Sequence, residues 1–97
     1  MEKSEQARLR AQLCDVLAGI SSPEDMSRLL DDLCTFKEVE QMAQRIECAR
    51  LLLEDETYTQ ITAKTEISSA TLSRVSRCLQ HGSGGYSELL AAYFEKK

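Results

Sequence analysis

Between Phe36 and about Asp55, apolar residues recur every three or four positions: Phe36, Val39, Met42, Ala43, Ile46, Ala49, Leu52 and Leu53. That period puts them on one side of a helix. At 1.5 Å per residue the helix is about 30 Å long. No other segment of the 97-residue chain is long enough to cover it alone. Two arrangements follow: a dimer in which the long helices help form a shared core, or a compact monomeric bundle.

The flanking segments also read as helices. The first is expected from about Ser4 to Ala18, with Leu9, Leu13, Val16, Leu17 and Ile20 as its apolar stripe. Gly19 can close it by taking the left-handed conformation. Ser22-Pro23-Glu24-Asp25 opens a second helix with a serine cap, proline at the first position and acids in the first turn. Its buried side would be Met26, Leu29, Leu30 and Leu33. Thr35 and Glu38 have the spacing of a capping box and start the long helix. Gly82-Ser83-Gly84-Gly85 is a glycine-rich connection; no strand precedes it and no Gly-Lys-Ser/Thr follows, so it is not a phosphate-binding loop. Tyr86, Leu89, Leu90, Tyr93 and Phe94 then line a last helix, and the Lys96-Lys97 end suits a helix C-terminus. The prediction is one all-α domain of about six helices over residues 1–97. Within it, 1–56 is mainly dimerisation scaffold and 86–95 is a C-terminal helix.

Residues 57–81 read as a helix-turn-helix. Thr57 or Thr59 opens its first helix, and Ile61 and Ile67 face the apolar side of the second. On that second helix Leu72, Val75 and Leu79 repeat at helical spacing, with Ser69, Ser73, Arg74 and Arg77 opposite. Ser68 is placed to cap it by accepting from a first-turn N–H. In such a motif the second helix enters the DNA major groove. Short side chains (Ser68, Ser69, Ala70, Thr71, Ser73) allow close approach, while Arg74 and Arg77 reach phosphates or guanine edges. Thr59, Gln60 and Lys64 lie where the first helix would meet phosphate oxygens, contacts that position without specifying sequence. Glu66 occupies the turn where glycine usually gives positive φ, so strain is expected there. The same residues are equally consistent with an ordinary solvated face.

The net charge of −4 argues against a nucleic-acid binder until it is located. Residues 15–56 hold four basic against eleven acidic residues, whereas 57–82 hold Lys64, Arg74 and Arg77 against Glu66 alone. The acidity sits in the scaffold and the reading unit is mildly basic, so binding would need two copies of it. Cys14, Cys34, Cys48 and Cys78 form no CxxC pair and are expected as reduced, buried, small hydrophobes. Cys78 and His81 supply two ligands where a structural zinc needs four, so no metal is expected. With one histidine and no nucleophile motif or cofactor loop, no catalytic site is expected either. No apolar run approaches the ~20 residues that span a bilayer, and a soluble, cytoplasmic protein is expected. The rival to DNA reading is a helical dimerisation or protein-interaction module, favoured by the acidic long helix.

Arg45-Ile46, Leu51-Leu52-Leu53, Thr71-Leu72-Ser73-Arg74 and the RVSRCL…GSGGY segment make residues 20 to 95 resemble the Trp repressor family, in particular its TrpR-related YerC/YecD branch. The resemblance implies an intertwined homodimer that binds double-stranded operator DNA as a transcriptional regulator, in most cases a repressor. It also implies a pocket. In the Trp repressor the corepressor lies between two arginines and near a threonine, and Arg45, Arg74 and Thr35 stand at matching positions. Val75 follows Arg74 where the Trp repressor has glycine, and its branched side chain would take space that the ligand needs. L-tryptophan is therefore not expected as a tight ligand, and no other cofactor is expected.

Overall fold

A computed structural model describes residues 1–96; Lys97, the last residue of the expected C-terminal pair, lies outside the described residues. The fold is all-helical, with no strand among the described residues. Six α-helices follow in order: α1 (Lys3–Gly19), α2 (Pro23–Leu33), α3 (Phe36–Leu53), α4 (Tyr58–Lys64), α5 (Ser69–His81) and α6 (Ala91–Glu95). A π-helical turn, Gly85–Leu90, runs directly into α6. No helix among the described residues is long and apolar enough to cross a membrane.

Two compact units divide the chain, Met1–Val39 and Glu40–Lys97, with the boundary inside α3. In the first unit, α2 starts as its sequence dictates. Ser22 Oγ accepts from the Asp25 N–H at 3.3 Å, and Pro23 occupies a first-turn position whose N–H would have had no partner. The Thr35–Glu38 capping box is closed in both directions: the Glu38 N–H donates to Thr35 Oγ1 at 3.1 Å, and the Thr35 N–H donates to Glu38 Oε1 at 2.7 Å. Gly19 departs from expectation. It lies inside α1 without positive φ, and the helix ends at Ile20 in an extended conformation, φ −102 and ψ 110. The apolar stripes of α1 and α2 bury no side chain within the chain. Leu13, Val16 and Leu33 are about half exposed, and Phe36 is 85% exposed.

The second unit holds the core. Cys48, Ala49 and Leu51 of α3 pack with Ile61 of α4, Ile67 of the turn, and Leu72 and Val75 of α5; Leu52, Leu79, Tyr86 and Leu90 close its edges. The core face of α3 therefore lies toward Cys48 and Leu51, while Met42 and Ile46 from the expected stripe are exposed. Periodicity marks the apolar residues of a helix but not which neighbour covers them. Of the cysteines, only Cys48 is fully buried, and burial raises its thiol pKa because a thiolate would be poorly solvated there. Cys14 and Cys78 are exposed and Cys34 is half-buried, so the expectation of four buried thiols holds for one. The glycine-rich connection is a defined turn: Gly84 is buried at φ +95, and a Cβ there would meet the Glu88 carboxylate. Leu89 of the last expected stripe is exposed, and Tyr93 packs edge-on against Phe94, ring centroids 5.1 Å apart.

Candidate nucleic-acid interface

The two helices of the reading unit are fixed at their ends by hydroxyl side chains. Thr57 caps α4 in a reciprocal box: the Gln60 N–H donates to Thr57 Oγ1 at 3.1 Å and the Thr57 N–H donates to Gln60 Oε1 at 2.8 Å. Helix α4 therefore begins after Thr57, and Thr59 lies within its first turn. The Thr-x-x-Gln spacing carries this signal in the sequence. Ser68 caps α5 by accepting from the Thr71 N–H at 3.1 Å, and its own hydroxyl donates to Thr71 Oγ1 at 3.1 Å.

Thr65 makes the turn between them. Its hydroxyl donates to the Ile61 carbonyl at 2.8 Å and accepts from the Ile67 N–H at 3.2 Å, which leaves Ile67 pointing into the core. The chain passes through Thr65 in an extended conformation, φ −132 and ψ 168, and resumes at Ser68, φ −70 and ψ 155. Glu66 consequently does not have the positive φ expected of it, and no strain is stored there. The non-glycine residue with positive φ is Asp55, at φ 64. No local pattern in Leu53-Glu54-Asp55-Glu56 points to it, because the glycine that commonly follows a helix is absent.

Helix α5 has two unlike faces. Leu72 and Val75 are about 1% exposed, whereas Ser69, Ala70, Ser73, Arg74 and Arg77 are exposed. Arg74 and Arg77 form no hydrogen bond or ion pair with any described residue. The structure thus brings five of the expected contact residues together on one face of α5. Ser68 and Thr71 belong to the cap, with Thr71 half-buried. Thr59, Gln60 and Lys64 are exposed on α4. Gln60 has its amide oxygen engaged in the cap. Lys64 is ion-paired: its Nζ lies 2.8 Å from Glu56 Oε1 and 3.0 Å from Oε2. Nothing in local spacing points to Glu56, which stands eight positions before its partner.

Arg50 on α3 is likewise engaged, donating to Glu47 at 2.7 and 2.9 Å and to Glu54 at 2.8 Å. The Arg50 hydrogen bonds hold the Glu47 carboxyl below its ordinary range, and both partners raise the Arg50 guanidinium pKa. Of the expected ligand pocket, Thr35 is the cap of α3 in the first unit, while Arg45 and Arg74 lie in the second without a described partner. Val75 is enclosed in the core. A cavity of 390 Å³ in the second unit is lined by Ile46, Cys78, Gly82, Ser83, Gly85, Tyr86 and Leu90, with neither arginine among them. Cys78 and His81 gain no further ligand: no group of three or more metal-ligating side chains occurs among the described residues.

A model of the family described as Trp repressor protein matches residues 9–93. Over 75 residues, 77% of this chain and 72% of the other, the sequence is 44% identical to the uncharacterized protein YerC of Bacillus subtilis (strain 168). A crystal structure of a Trp repressor candidate from Staphylococcus aureus superposes with a TM-score of 0.84 at 29% identity, covering 97% of this chain and 96% of that one. A TrpR-like protein from Eubacterium eligens ATCC 27750 superposes with a TM-score of 0.82 at 32% identity, covering 90% of each chain.

Proposed function

The chain belongs to the Trp repressor family, and from that premise we propose that it is a sequence-specific repressor that reads a palindromic operator as a homodimer. The family consists of regulatory DNA-binding proteins rather than enzymes. One observation carries the reading: α5 buries Leu72 and Val75 of its apolar face and leaves two unpaired arginines among small hydroxyl side chains on the other. A helix so built can approach a groove floor, and a guanidinium can donate two hydrogen bonds to guanine O6 and N7. Ser69, Ala70, Ser73, Arg74 and Arg77 are the proposed base-side contacts, with Ser68 and Thr71 at the helix start. Thr59 and Gln60 are the proposed phosphate-side contacts, with Lys64 beside them on the same helix but paired to Glu56.

The dimer is supported by the first unit, which buries no side chain of its own and exposes Leu13, Val16, Leu33 and Phe36. A second copy offering the same stripes would cover them. L-tryptophan is not a tight ligand in this reading, since Val75 follows Arg74 where the Trp repressor has glycine. Saturable micromolar binding in a calorimetric titration would overturn that point.

Selection of bound fragments from random DNA tests the function. The expected outcome is an inverted repeat with half-sites about one helical turn apart. Binding should weaken steeply between roughly 50 and 200 mM salt, since each phosphate contact releases counterions. Arg74→Ala or Arg77→Ala should cost on the order of 1–3 kcal/mol and relax preference at one operator position. No retention of duplex DNA even at low salt would instead favour a protein-interaction module.

A further inference from the structure

We infer that Glu56 is a negative determinant of DNA affinity: it holds the Lys64 ammonium away from phosphate. The inference rests on the DNA reading above and adds a residue that weakens binding. Lys64 is the only cation on α4, and it is the last residue of that helix. Side chains on a helix lean toward its N-terminus, so the Lys64 stem runs back along α4 toward Glu56, just before the Thr57 cap. There both carboxylate oxygens lie within 3.0 Å of Nζ. The Glu56 side chain is 17% exposed against 56% for Lys64. Its Oε1 is shut off from solvent and has no hydrogen-bond partner among the described residues, so the ammonium is its sole company.

This asymmetry sets the balance. Lys64 could swing to a phosphate at little cost to itself, but doing so would strand a largely buried carboxylate, and a charge left unpaired in that setting is costly. Glu56 also adds a negative charge beside the phosphates. With Glu56 counted, the basic surplus of the reading unit falls from two charges to one. Glu56→Gln removes both effects: the amide is neutral, fills the same space and leaves Lys64 free.

The test is retention of random-sequence duplexes of ~30 base pairs, long enough for two half-sites, across a salt series. Four proteins are compared: wild type, Glu56→Gln, Lys64→Ala and the double variant. Glu56→Gln should bind about five- to tenfold tighter at low salt, with the log–log salt slope steeper by ~0.9, the signature of one added phosphate contact. Lys64→Ala should lose less than about twofold in the wild-type background but remove the whole gain in the Glu56→Gln background. A merely structural role for Glu56 would shift the melting curve without moving the salt slope. Should Glu56→Gln fold poorly, Lys64→Ala alone decides: a loss of fivefold or more, with a shallower slope, overturns the inference. Equal affinity and slope for wild type and Glu56→Gln overturns it while leaving the DNA reading intact. If wild type retains no duplex at low salt, the DNA reading fails and takes the inference with it.

Discussion

Asp55 sits at φ 64 because of the way α3 ends. Its N–H donates to the Leu52 carbonyl at 3.0 Å and the Glu56 N–H donates to the Leu51 carbonyl at 3.1 Å. This is the paired bonding of a Schellman close, which needs one left-handed residue just past the helix. Aspartate tolerates that conformation better than most residues, but glycine takes it without a Cβ penalty. Asp55→Gly is therefore expected to stabilise the fold by up to ~1 kcal/mol, and Asp55→Val to destabilise it by at least as much; thermal melts of the two variants read the difference. A drop in melting temperature for the glycine variant would mean that the aspartate carboxylate supplies something the backbone does not. At this scale the sequence misled in a definite way. A departure from the usual helix-turn-helix glycine placed strain at Glu66, whereas the Thr65 hydroxyl bridges the turn and leaves Glu66 unstrained. Strain follows the backbone path, and that path depends on bonds a motif does not display.

At the scale of elements, the helix starts were the most legible part of the chain. Ser22, Thr35, Thr57 and Ser68 each bring a hydroxyl to an N–H three residues on, and such bonds depend only on local spacing. The helix ends and buried faces were less legible, because they depend on what packs from elsewhere: α1 runs through Gly19, and α3 turns Cys48 and Leu51 inward. The cap of α3 has a pH dependence of definite sign. The Thr35 N–H bond, then the Thr35 hydroxyl interaction, lower the Glu38 carboxyl pKa below its ordinary 4.5. A carboxylate whose pKa is depressed by folding stabilises the fold above its unfolded pKa, and that contribution disappears as pH falls through the folded value. Wild type should accordingly lose stability faster than Glu38→Gln as pH drops below about 4.5. Denaturant midpoints followed from neutral to acid pH check this, and parallel profiles for the two proteins would remove Glu38 as the source.

For the whole molecule, periodicity marked apolar stripes in every long helix but not which of them are covered within one chain. Among the described residues every fully buried side chain lies between Cys48 and Val75, and the first unit has none. Replacing an exposed apolar residue of α1, as in Leu13→Glu, would on ordinary grounds cost a monomer almost nothing. In the proposed dimer it should halve the mass seen by sedimentation equilibrium and abolish operator binding along with it. An unchanged monomeric mass for wild type and variant alike would remove the dimer. The candidate site was legible as a face, from the alternation along α5. It was not legible as a charge balance, because the carboxylate that engages Lys64 stands outside the helix whose pattern was read.

Arg50 and Lys64 are held by carboxylates, so the second unit presents Arg45, Arg74, Arg77 and Lys96 as its cations without a described partner. A reading unit with so few free cations would itself have little hold on the millions of irrelevant sites a chromosome offers, since that grip comes almost entirely from cations meeting phosphates. Few molecules would then sit idle on the wrong sequences, and a small number per cell could keep one operator occupied. Dwell times of single molecules on long non-operator DNA would report it directly: brief visits fit such thrift, and prolonged ones do not.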